Sequence, residues 1–581
     1  MLKIPWRYYL FWLILAAWFA LGVGALRTGA ERESYAQARA LARLSADLTP
    51  DRVLIGADAA GARPLAARQR PGVALCALPF YLAGRLMAEF LHDEPANTLG
   101  FTAQITTLAA SVAMATAIVL LGLCGLSLGI WPRSALVLGL LLAVASPCWS
   151  YGARLSPPAF GLLAISLMLY ALLRIAQNDR RVGLRFMLGA GIGLSLLLGD
   201  EQLATLPFFL LWSLAYARRI VGRPGYALAF LLPLSTGGLL FAWYNQVAWG
   251  GWWRAPDGTP LWTHLRNDYW QHAAATQSVW NRYLWPGLRL WLFSDGPMPM
   301  GLAMARGLPA PLREVVFYGV FVWCPLLIVG AVGAWALLRD PDAGGPIRLL
   351  LIVFLIALLM RILAREVVPP AGYNAADTLP FWPVWLIGLG FFIEVHIFSL
   401  RVSVIRLLLV AGFLFVTVVS LANAAHDTAL GHLGLSGRSL FSTPPPVQAP
   451  PDLGSRGPSL TILSIPNSDA FFLPLRHVTD WATRSPRALA SALWPGLGNW
   501  PLFLPIVLVV GATWPAAGWL FHRRLRRQRG KAVEDEAPPE KEKANADSET
   551  RERLDTAPSS NPDSEHIDDR EQDPGENAPD R

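Results

Sequence analysis

The chain of 581 residues is short of charge and almost without cysteine. Only 15% of its residues are Asp, Glu, Lys or Arg, whereas 54% are hydrophobic, with 24 Trp and 26 Phe among them. A soluble core cannot hide that much apolar side chain, so an ordinary water-soluble globule is excluded. The four cysteines, Cys76, Cys124, Cys148 and Cys324, stand singly in apolar surroundings with no CxxC pair. That excludes a disulfide scaffold and a zinc framework, and the four read as small packing residues. No Walker loop, dinucleotide fingerprint or GxSxG elbow occurs, which removes support for ATP coupling and for those enzyme classes. Solenoid-length repeats and the symmetry between halves found in many transporters are also missing.

What is present is a series of apolar windows of about 17 to 22 residues, the length a helix needs to cross about 30 Å of hydrocarbon. The expected fold is an all-α bundle of about twelve transmembrane spans, near residues 8–26, 101–129, 135–151, 157–175, 186–199, 203–216, 226–245, 315–338, 349–363, 381–400, 407–423 and 502–521. Lys3 and Arg7 precede the first of these, which holds the amino terminus in the cytoplasm. A cleaved signal is the rival reading of that segment, but its length and its Trp and Phe content favour an uncleaved anchor.

The segment 71–91 decides the parity. It is apolar enough to count as a span, yet Pro79 and Gly84 interrupt it. If it does not cross, Arg180, Arg181 and Arg185, the group Arg218, Arg219 and Arg223, Arg339 with Arg348, Arg401 with Arg406, and the run HRRLRRQR (522–529) all face the cytoplasm. If it crosses, every one of these faces outward, so it reads as re-entrant or interfacial. The outer connections are then 27–100, the turn at Gly199, the Trp-rich loop 246–314, and 424–500. The basic residues fall in membrane-adjacent links and form no nucleic-acid surface. The domain plan is a transmembrane module 1–423, the outer loop 424–500, a last span with its basic flank at 501–531, and an acidic tail 532–581. That tail carries seventeen acids against six bases and no aromatic residue, so it is expected to be disordered.

Chemistry, if any, would sit outside. The stretch ALRTGAERESYAQARAL (25–41) follows the first span and carries Glu31 and Glu33. Its alternation predicts an amphipathic helix lying at the interface, with Tyr35, Ala38, Leu41 and Ala42 toward the apolar side. Either both glutamates pair with Arg27 and Arg32 in water, or one serves as a general base in the low dielectric of the interface. Asp200 and Glu201 lie between two short apolar runs, as a solvated hairpin tip or as a second acid site that binds the acceptor or a divalent cation such as calcium or magnesium. His264, Asp268 and His272 are spaced four apart, a metal site only if a helix aligns them; a chance arrangement on a solvated helix is the competing reading. The crowded tryptophans of 246–314 are interfacial anchors, some of which could stack on a sugar.

Four features taken together resemble the GT-C superfamily of membrane glycosyltransferases, with the protein mannosyltransferases and the aminoarabinose transferase-like bacterial members as nearest relatives. They are the acid soon after the first span, the helix SYAQARAL, the later RQRPGVALCALPFYLAG, and WYNQVAWGGWW at the entrance to the outer loop. The resemblance is architectural, covers about residues 1–400, and rests on loose motifs. It implies an inner-membrane enzyme that moves a sugar from a polyprenyl-phosphate donor to a lipid, glycan or protein acceptor at the extracytoplasmic face. It makes Glu33 the base, with Glu31 in reserve, because relatives usually carry an Asp at that place in the first outer loop. Such chemistry also needs a cation at the leaving phosphate. Arg361 and Arg365, one helical turn apart in LLMRILAREVVPP, suit a forked grip on phosphate or else snorkel to headgroups, and Arg68 and Arg70 are weaker alternatives. Two positions depart from the family pattern: AGYNAADTLPF lacks the expected Arg, and YGARLSPPAF lacks the His or acid expected after the third span. A transporter or flippase of a lipid-linked sugar, or an inactive membrane scaffold, are the competing functions.

Overall fold

The computed structural model describes residues 6–24, 26, 29–51, 69–91, 95–198, 200–254, 260, 324–339, 382–398, 403–432, 478–479, 482–483 and 486–512. The chain divides into two units, Met1–Gly511 and Ala512–Arg581, and of the second only Ala512 is described. Among the described residues there is no strand, only the isolated bridge between Arg254 and Pro260.

The helices are α1 (Trp6–Leu21), α2 (Gly29–Leu41), α3 (Gly72–Leu91), α4 (Pro95–Ser127), α5 (Pro132–Val144), α6 (Cys148–Gly152), α7 (Pro157–Ala176) and α8 (Val182–Leu198). They continue with α9 (Asp200–Ala215), α10 (Ala217–Val221), α11 (Pro224–Trp249), α12 (Leu326–Arg339), α13 (Pro383–Phe392), α14 (Val404–His432) and α15 (Pro486–Leu493). Six helical stretches among the described residues are long and apolar enough to cross a membrane: Gly72–Phe90, Thr98–Ser127, Pro157–Ala176, Pro224–Trp249, Val404–Ala425 and Pro495–Ala512. Shorter apolar helices stand at Trp6–Leu21, Pro132–Val144, Val182–Leu198, Leu326–Arg339 and Pro383–Ile397. The chain is a multi-pass helical membrane protein. The expected span 349–363 lies outside the described residues, as do the basic run 522–529 and the acidic tail.

Small residues set the closest helix contacts, as expected where hydrocarbon offers no hydrophobic drive for association. In α8 the GxxxG pair Gly189 and Gly193 lets α11 approach so closely that a Cβ on Gly193 would meet the Pro233 carbonyl. Across that contact a Cβ on Gly237 would meet Gly193 itself. Gly330 and Gly333 of α12 do the same against Gly388 of α13.

The two ends of the bundle differ. At one end, Arg185 is buried: its Nη1 donates to the carbonyls of Asp179 and Arg181, and its Nε and Nη2 to that of Arg219. Its guanidinium stacks over Tyr226, 4.4 Å from the ring centre. Arg219 Nη1 donates to the Ala176 carbonyl and Gln177 Nε2 to that of Ser127. The links following α4, α7 and α10 are thus gathered at one end, bonded through arginine. From there α8 and α11 run in the same direction and finish together at the opposite end.

Three differences from the sequence reading have physical causes. Helix α3 is unbroken although it contains Pro79, whose missing N–H costs the helix only the bond to the Leu75 carbonyl. Helix α14 continues past 423 to His432, because 29 residues at 1.5 Å make about 44 Å, longer than the hydrocarbon core. The segment 424–500, expected as a loop, also contains α15, whose Leu489, Ala492 and Leu493 pack with Trp149 and Trp18.

Candidate functional site

The far ends of α8 and α11 converge on Gln69 and Arg70, just before α3. Helix α2 supplies the polar side chains. Glu33 Oε1 accepts the backbone N–H of Gln69 at 2.8 Å, Gln37 Nε2 donates to the Gln69 carbonyl at 2.6 Å, and Ser34 Oγ donates to Gln69 Oε1 at 3.3 Å. Residues 33 and 37 are one turn apart, so a single helical face grips both polar groups of one peptide position. Gln37 Nε2 also donates to the Tyr244 hydroxyl at 3.0 Å, which ties α2 to the end of α11. Arg70, the residue after Gln69, is buried; its Nη1 reaches the Leu196 carbonyl at 3.4 Å and its guanidinium lies 5.2 Å from the centre of the Phe241 ring.

Two buried acceptors stand in this neighbourhood. Gln37 Oε1 and Asn245 Oδ1 have no hydrogen-bond partner among the described residues. Asn245 Nδ2 is committed to the Trp252 carbonyl at 3.1 Å. Around them Trp249 stands edge-on to Tyr244, and Trp253 to Phe241. A buried amide oxygen left unpaired is costly, so this is a place where an arriving hydroxyl donor is rewarded.

The opposite face of α2 is fastened separately. Asp51, 1% exposed at its side chain, accepts from Arg39 Nη1 at 2.8 Å and from Arg43 Nη2 at 3.2 Å. Tyr35 stands edge-on to Tyr81 of α3, and burial raises its phenol well above the ordinary tyrosine range.

Helix α2 departs from the sequence expectation. It is less one-sided than the alternation suggests, because Glu31, Ser34 and Gln37 are buried along with Tyr35, Ala36, Ala38, Ala40 and Leu41. Protein covers the face that carries Ser34 and Gln37, and these short polar side chains find partners at Gln69. Helix α3 lies across the same end of the bundle: Gly72 at its start packs on the Leu197 backbone, and Arg85 and Glu89 near its finish share a cavity with Thr98 and Thr102 at the start of α4.

Of the other residues singled out in the sequence, Asp200 opens helix α9 with Glu201 behind it, at the helix end that favours negative charge. Their side chains lie outside the described set. Arg361 and Arg365 lie outside the described residues, as do Arg68, His264, Asp268 and His272. Among the described residues no group of three His, Cys, Asp or Glu side chains is placed to hold a metal ion. Gln37, Gln69, Tyr244 and Asn245 were not singled out from sequence. A signal existed for the last two, polar groups at the end of an otherwise apolar run in WYNQVAW, since such groups are expensive in a span.

No protein-family model matches the chain, and no curated protein matches it. Two solved structures are similar to it: ArnT from Cupriavidus metallidurans bound to undecaprenyl phosphate, and the same protein in the apo state. The first is 16% identical with a TM-score of 0.37, over 89% of this chain and 79% of that one. The second is 15% identical with a TM-score of 0.35, over 86% and 75%.

Proposed function

We propose that the chain is a glycosyltransferase of the inner membrane that moves a sugar from a polyprenyl-phosphate donor to an acceptor hydroxyl on the extracytoplasmic side. The observation that carries the reading is the junction at Gln69 and Arg70, where a carboxylate grips one residue and a guanidinium extends from the next. Glu33 is the base. Oε1 is held by the Gln69 N–H, and the carboxylate takes the acceptor proton as the acceptor oxygen bonds to the anomeric carbon. The bond from that carbon to the phosphate oxygen breaks, and its electron pair leaves with the polyprenyl phosphate. Arg70 faces that charge, with Arg361 and Arg365 as further candidates for the phosphate. The unpaired amide oxygens of Gln37 and Asn245 suit sugar hydroxyls, and the rings of Trp249 and Trp253 suit a sugar face.

The polarity of the bundle supports the outward placement. The site stands at the end of α8 and α11 opposite the arginine-bonded links, which the positive-inside bias keeps in the cytoplasm. This reading keeps both termini in the cytoplasm, and the placement of both ends of α3 at the site end accords with it. Glu31 is the reserve acid, and Asp200 and Glu201 are the second acid pair; no step is routed through a metal.

The test is incubation of the purified full-length protein with labelled polyprenyl-phosphate sugars in detergent and in sealed vesicles. Release or transfer of the label from the lipid is the expected result. Movement of the intact lipid-linked sugar across the vesicle without cleavage would make the protein a transporter, and neither activity would make it a scaffold.

A further inference from the structure

On the face of α2 turned away from Glu33 lies a cavity of about 540 Å³ between α2, α3 and the start of α4. Three guanidiniums reach it, Arg39 from α2, Arg43 from the turn just after it, and Arg85 from α3. Each is held by one carboxylate oxygen: Asp51 accepts from the first two, and Glu89 accepts from Arg85 Nε at 2.9 Å. Among the described residues, two carboxylates against three guanidiniums leave one positive charge in excess. A guanidinium has five N–H donors, so each retains donors after its carboxylate bond, and the three forks are already fixed in direction. The side chains of Arg39, Arg43 and Arg85 are 38%, 38% and 59% exposed.

The same helix carries an apolar track. Tyr81, Arg85 and Glu89 line the cavity at intervals of one turn, and Leu82, Leu86 and Phe90, each one position further on, are exposed, Phe90 by 82%. Leu99 continues the apolar surface from α4 at the cavity rim. A helix that presents an anion-sized cluster of forks beside a strip of exposed hydrocarbon is matched to a molecule with the same two parts. From this juxtaposition we infer that the cavity binds the phosphate-bearing headgroup of a membrane lipid, with an acyl chain along Leu82, Leu86 and Phe90. The site is separate from the one around Gln69 and stands or falls without the glycosyltransferase reading.

The experiment is native mass spectrometry of the full-length protein in detergent, titrated with phosphatidic acid and with phosphatidylcholine of the same chains. Phosphatidic acid is retained preferentially in the parent protein. Arg85→Gln, at an exposed position, weakens that retention about tenfold, the low end of a charge-assisted hydrogen bond. Glu89→Gln strengthens it by removing the competing carboxylate, and retention of phosphatidylcholine is the same in all three proteins. Equal retention of the two lipids, or unchanged phosphatidic acid binding in Arg85→Gln, would overturn the inference. Inorganic phosphate competing as well at equal concentration would assign the cavity to a free anion and overturn the lipid reading.

Discussion

At the scale of single residues, the site is an arrangement of short polar side chains on backbone groups. Glu33, Gln37 and Ser34 all fix Gln69, and Asp51 fixes Arg39 and Arg43 from the other side of α2. Asp51→Asn removes the charge that two guanidiniums share. With both arginines partly exposed, the expected cost is about 2 kcal/mol, read as a lower thermal midpoint in detergent. Gln37→Leu deletes the bonds to Gln69 and Tyr244 together, and turnover of the lipid donor should fall while the protein stays folded and in the membrane. The sequence showed Glu33 as a carboxylate just beyond a span, because hydropathy locates membrane exits well. It did not show Gln69, since the partner is 36 positions away and is a backbone N–H, which no side-chain motif encodes. Asp51 was equally silent: a lone acid between a proline and an arginine has no pattern until the helix across from it is placed.

At the scale of elements, apolar length was the legible quantity, and most of the described apolar helices overlap an expected span. Gly72–Phe90, however, is long and apolar enough to cross where a re-entrant segment was expected, and the expected span 135–151 is divided between α5 and α6. Side-chain periodicity was less informative. The alternation in SYAQARAL reads as one apolar and one wet face, but Ser34 and Gln37 of α2 are buried and bond to Gln69 instead of water. Pro79 likewise read as a break, though one missing N–H is tolerated inside a helix packed on α2 and α4. Helix packing gives a prediction of its own. Gly193→Leu places a side chain where the Pro233 carbonyl and Gly237 already stand, so α8 and α11 must separate. A cost of about 2 kcal/mol is expected from overpacking, seen as reduced yield of folded protein and a lowered midpoint. Gly183→Leu, in open space near the start of the same helix, serves as the neutral control.

At the scale of the whole molecule, charge distribution and helix direction point to the same orientation. The arginines around Arg185 and Arg219 close one end, and the polar network around Gln69 occupies the other. A phosphatase fused after Gly258 should be active and a cytoplasmic reporter there silent; the reverse would turn the molecule over and place the network in the cytosol. Overall charge bias was readable because lipid makes it a strong constraint, whereas the meeting of α2, α3 and α11 depends on contacts between positions 37 and 244 that only the folded chain reveals. The most direct measurement of the central claim is sugar release from labelled polyprenyl phosphate by the purified full-length protein, its Glu33→Gln variant and its Glu31→Gln variant. The account predicts cleavage by the parent and a loss of about a thousandfold in Glu33→Gln with donor binding retained. Undiminished turnover in Glu33→Gln would contradict it.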